Sequence, residues 1–171
     1  MKLAVISLGL MALPLAAQAA PRDITPMARY CVEALVDSRP LMTSALIATT
    51  AKNVGRGDAD ERTEFYTVPH EELVFSRLQL SGLSACSVFP EDGAEGWSEA
   101  SVAKHMEVAG MLAAPDCAKD GVAFWFSPVA NLKRRGVTAV VEVAKGEVAE
   151  ILAYETMELS RPSDCKTEAA Q

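Results

Sequence analysis

The residues able to do chemistry are few, and their spacing is poor for it. The chain has two histidines, His70 and His105. His70 stands in Pro69-His70-Glu71-Glu72, which contains metal-ligating types. Two imidazoles on one helix face need the H-E-x-x-H spacing, and no second histidine is near. His105 lies beside Met106 in an amphipathic stretch and reads as a boundary side chain. A serine or cysteine nucleophile would have to use one of these two as its base, and neither has a recognisable setting. No G-x-S-x-G elbow and no glycine-rich phosphate loop occurs. Asp58-Ala59-Asp60-Glu61 gathers carboxylates between glycines, but Arg62 stands where a calcium loop needs its third ligand. The Arg56-Gly57-Asp58 tripeptide in the same loop is too short to carry weight. Carboxylate pairs for acid–base hydrolysis are numerous among the 23 acidic residues, and nothing singles out two. No catalytic residue, cofactor site or metal site is therefore assigned.

The cysteines tell more. Cys31, Cys86, Cys117 and Cys165 are even in number and contain no C-x-x-C pair. A zinc ribbon or a thioredoxin-type redox pair is not indicated. Two structural disulfides are expected, with all three connectivities open. A cysteine nucleophile would leave an odd thiol. The opening residues, MKLAVISLGLMALPLAAQAA, give the compartment. One basic residue, a short apolar run and small residues at Ala17-Gln18-Ala19 form the pattern of a secretory signal peptide over residues 1–19. The run is shorter than the roughly 20 residues of a spanning helix, although an uncleaved anchor is the rival reading. The expected destination is the bacterial periplasm or the medium, an oxidising space that suits disulfides.

Lys133-Arg134-Arg135 is the one basic cluster in a chain of formal net charge −7. That acidity excludes a general nucleic-acid binder and disfavours an anionic membrane surface. The cluster falls between two expected strands. It reads either as a solvated connection or as a local contact for an anionic partner.

These residues must be placed by local structure. Thr25-Pro26 opens a helix with Met27, Tyr30, Cys31, Ala34 and Leu35 at helical spacing, ending before Pro40. Leu41 to Lys52 is rich in alanine and leucine and reads as a second helix, with a strand as the alternative. Strands are expected at Thr63 to Val68, Glu71 to Leu80 and Leu83 to Phe89. Ser98 caps a helix expected to reach Ala114, with Val102, Met106, Ala109 and Ala113 on its apolar stripe. Val122 to Ser127 and Val137 to Val143 read as strands. Lys145-Gly146 reads as a hairpin turn, and Val148 to Met157 as a return strand or a helix. The expectation is an α+β fold in one domain over residues 20–165. It has a mainly antiparallel sheet, N-terminal helices, one central amphipathic helix and two disulfides, followed by a disordered tail at 166–171.

In Phe124-Trp125-Phe126, the two phenylalanines point one way and the tryptophan the other. Val137, Ala139, Val141 and Val143 share one face of their strand, and Val140 is on the other. A sheet with one wet face should alternate cleanly, so both faces are expected to be covered, by the N-terminal helices or by a partner. The functional expectation is an exported, non-enzymatic binding or interaction protein. Its contacts would be Lys133, Arg134 and Arg135, or the apolar face around Trp125. The partner would be an envelope protein or an anionic ligand, not nucleic acid, with no cofactor and no transmembrane segment after signal cleavage. The alternative is a small periplasmic hydrolase using a carboxylate pair.

Overall fold

The computed structural model describes residues 21–80 and 82–157. The expected signal segment at 1–19, Cys165 and the expected tail at 166–171 lie outside the described residues. Helix α1 spans Pro26–Val36 and α2 spans Glu99–Val108. Eight strands follow the chain: β1 Ile47–Thr49, β2 Glu64–Val68, β3 Leu73–Leu80, β4 Leu83–Pro90, β5 Leu112–Ala113, β6 Val122–Phe126, β7 Gly136–Ala144 and β8 Glu147–Thr156. They form one antiparallel sheet in the order β1-β2-β3-β4-β8-β7-β6-β5. The architecture is α+β, as expected. No helix among the described residues is long and apolar enough to cross a membrane.

Both helices cover the same face. Cys86 and Val88 of β4 pair with Ala153 and Ile151 of β8, and these in turn with Ala139 and Val141 of β7. Trp125 continues the row on β6. This face packs against Ala28, Cys31, Val32 and Leu35 of α1 and Val102 and Met106 of α2 to form the main core. The Cys31–Cys86 disulfide fastens α1 to the middle of the sheet, with its Cα atoms 5.8 Å apart. One disulfide is thus described where two were expected. The other expected bridge needs Cys165, which lies outside the described residues, and no cysteine among the described residues is free.

Local chemistry explains the helix ends. The α1 N-terminus has no side-chain bond from Thr25. The Glu71 carboxylate supplies the cap from across the chain, accepting from the Met27 N–H at 2.9 Å. Ser98 caps α2, its hydroxyl accepting from the Ser101 N–H at 3.2 Å.

Two helical expectations are corrected. The segment after Pro40 is not a helix: Ile47–Thr49 pairs with Thr67, Tyr66 and Phe65 of β2, and Ala51–Val54 is a single 3-10 turn. Alanine and leucine favour a helix, but the β-branched Ile47, Thr49 and Thr50 suit the free sheet edge, and pairing there outweighs a weak propensity. The central helix stops six residues before Ala114. Gly110 takes φ +77°, its N–H donates to the Glu107 carbonyl, and the Met111 N–H donates to the Met106 carbonyl. That double bond is a Schellman stop, and buried Met111 supplies its apolar contact. Ala113 then joins β5 rather than the stripe. Residues 147–156 form a strand, which resolves the strand-or-helix alternative.

Candidate binding surface

The basic cluster sits in the connection between β6 and β7. Asn131 is buried and organises it. Its Oδ1 accepts from the Lys133 and Arg135 N–H groups, each at 3.0 Å. Its Nδ2 donates to the Leu35 carbonyl at the end of α1 and to Glu155 Oε1, each at 3.0 Å. The Glu155 carboxylate is fully enclosed. It also takes the Ser84 N–H at 3.0 Å and lies 3.3 Å from the Lys133 ammonium. A buried carboxylate needs such partners, because an unpaired one would cost several kcal/mol. Lys133 therefore serves the fold, and the three cluster residues are not equivalent. Arg134 is exposed, at the loop's left-handed position with φ +60°.

The same loop carries a feature that a charge-based reading of the sequence misses. Val129 and Leu132 are 70% and 90% exposed. Large apolar side chains on a loop fixed at its base from several directions do not collapse back onto the core. The sequence signal was the alternation of Val129 and Leu132 with the turn-forming Pro128 and Asn131.

Trp125, the other candidate contact, is 9% exposed and belongs to the core. Its remaining edge lines a cleft of about 280 Å³ between α2 and the β6–β7 part of the sheet. Val102, Ala103, Ala123, Val141 and Val143 complete the apolar walls, and Glu99 stands at the rim. Trp125 and the basic cluster are thus not brought into one site: one faces the helical layer, the other caps the strand ends.

The remaining chemistry-bearing residues are placed as follows. His70 is exposed on a 3-10 turn, and its neighbour Glu71 is the α1 cap. His105 is buried on α2, with Nδ1 3.9 Å from Glu33. Burial holds its pKa below the usual 6.5, against the opposing pull of Glu33. Arg56 folds onto the sheet's second face, its guanidinium 4.6 Å from the Phe89 ring and paired with Glu150, which also accepts from Ser87. Asp60 is held by Arg62, and Glu64 by Arg77 and Tyr66; these hydrogen bonds push both carboxyl groups below their ordinary range. A general acid for hydrolysis needs the opposite displacement. Among the described residues, no group of three or more metal-ligating side chains converges. Comparison with protein-family models, with curated proteins and with solved structures gives no match.

Proposed function

We propose that the protein is an exported, non-enzymatic interaction module that engages a protein partner through the 128–135 loop. The observation that carries this reading is the exposure of Val129 and Leu132 beside Arg134, on a loop anchored by Asn131 and the buried Glu155. A preorganised loop binds at low entropic cost. Exposed apolar side chains next to an arginine form a small hot spot for a partner that offers an apolar pocket with an acidic rim. The signal-like N-terminal segment and the cysteines support an encounter in the bacterial periplasm or outside the cell.

The test is capture of a partner by the mature protein from a periplasmic extract of its own host. Leu132→Ser combined with Arg134→Ser should reduce capture at least tenfold while leaving the thermal midpoint nearly unchanged, since both side chains are exposed. Capture that survives the double substitution at low and moderate salt removes the loop from the interface. Attention then moves to the cleft beside Trp125.

A further inference from the structure

Beside the end of α1 the surface opens into a small cleft of about 190 Å³. Three parts of the chain build it. The connection after α1 brings Arg39 and Leu41, the β3–β4 hairpin brings Arg77, Gln79 and Ser84, and the β6–β7 loop brings Lys133. Strand register explains the floor. Arg77 lies opposite Cys86 and Gln79 opposite Ser84, so these side chains carry the helical face of the sheet on past Cys86. In a chain of net charge −7, three cations line this cleft and no carboxylate does.

Each cation is held in place. Arg39 lies 5.6 Å from the Tyr30 ring and pairs with Glu33 and Asp37, each at 3.3 Å. Arg77 lies 5.9 Å from the Tyr66 ring, pairs with Glu64, and donates from Nη1 to the Leu41 carbonyl at 3.1 Å. Lys133 is 3.3 Å from the enclosed Glu155 carboxylate. Tyr30 fastens the connection itself: its hydroxyl donates to the Pro40 carbonyl at 2.6 Å and accepts from the Met42 N–H at 2.8 Å. These contacts leave donors over. Nη1 of Arg39 and Nη2 of Arg77 are unpaired among the described residues, and the Lys133 ammonium has three N–H groups for one carboxylate. The three side chains are 36% to 45% exposed, so a solute can reach them. Arg135 brings a fourth cation to the β3–β4 turn: its Nη2 lies 4.0 Å from where a β-carbon on Gly82 would sit.

A carboxylate is satisfied by a single guanidinium fork. Donors arriving from three parts of the chain suit a group with three terminal oxygens and close to two charges, which describes a phosphate monoester at neutral pH. Leu41 and Leu78 offer apolar wall to a short carbon stem. The acidity of the whole chain opposes approach to an anionic bilayer, which favours a soluble ligand over a lipid headgroup. We infer that this cleft binds a small soluble phosphate monoester through Arg39, Arg77 and Lys133. Val129, Leu132 and Arg134 take no part in it, so the inference does not rest on the protein-partner reading.

The probe is glycerol 3-phosphate, titrated into the oxidised mature protein by calorimetry and by amide chemical-shift mapping. Saturable binding with a Kd below about 1 mM is expected, with shifts at Arg39, Leu41 and Ser84. Added sodium chloride should weaken it severalfold. Arg39→Gln and Arg77→Gln should each weaken binding about tenfold or more. Lys104→Gln, at an exposed position of α2, removes the same charge and should leave affinity unchanged. If Arg77→Gln lowers the thermal midpoint, Arg39→Gln and the shift map of the unsubstituted protein decide. Absence of saturable binding, equal affinity for succinate, unchanged affinity in both arginine variants, or binding to phosphatidic acid vesicles without binding of the free monoester would each overturn the site.

Discussion

At the scale of single residues, the side chains that look reactive have been used for architecture. Glu71 caps a helix 44 positions away, Lys133 neutralises a buried carboxylate, and His105 is packed neutral against the core. The histidine gives a pH prediction. Its folded pKa is depressed below 6.5, so between the two values the unfolded chain binds more protons and stability rises with pH. The contribution is fully present above pH 6.5 and is lost as the pH falls below it. Burial drives the depression; Glu33 opposes it, the Arg29 charge adds to it, and the hydrogen bond with the Arg29 backbone opposes it. In urea denaturation, the protein should lose more stability between about pH 7.5 and about pH 5 than His105→Gln does, because glutamine does not titrate. Parallel pH dependences for the two would show that folding leaves the His105 pKa unshifted.

At the scale of elements, the two helices are defined by what ends and buries them. Met106 is fully buried against the sheet, while Glu107 faces solvent. Met106→Asp should cost roughly 3 kcal/mol or more by burying an unpaired carboxylate, and Glu107→Ala should be close to neutral. Gly110 has open space where a side-chain methyl would sit, but its φ of +77° is left-handed, so Gly110→Ala should cost about 1 kcal/mol through the backbone alone. Thermal or chemical unfolding of the three variants checks the set; equal losses for Met106→Asp and Glu107→Ala would mean that the buried face of α2 is misassigned.

For the whole molecule, one long-range tie is Cys31–Cys86. It closes a 55-residue separation that contains β1, β2 and β3, which make up one side of the sheet. Loop-closure entropy at that length is worth about 4 kcal/mol. Cys31→Ser with Cys86→Ser should lower unfolding free energy by an amount of that order, measured in guanidinium. A loss below about 1 kcal/mol would show that α1 is held by packing and the Asn131–Glu155 network with little help from the bridge.

Much of this was legible in the residues themselves. The residue runs at 122–127 and 137–143 located β6 and β7 and assigned the sides of their residues, because the two-residue period of a strand is local. Pro26, Ser98 and Lys145-Gly146 marked two helix starts and a hairpin because the fixed φ of proline, the Ser98 cap and a two-residue turn are local, although the cap of α1 comes from the distant Glu71. An even cysteine count after an export-like leader pointed to disulfides. What sequence alone did not determine is set by groups far apart in the chain. Residues 47–49 are a strand because β2 offers a free edge, against their neighbours' helical leaning. Both helices lie on the face that carries Trp125, which leaves the phenylalanine side of β6 outside the helical layer. The pairing of Cys31 with Cys86 depends on where α1 docks. The basic cluster divided into a structural Lys133 and an exposed Arg134 only once Glu155 was found buried beneath it, since a charge's role is fixed by its partner and its access to water.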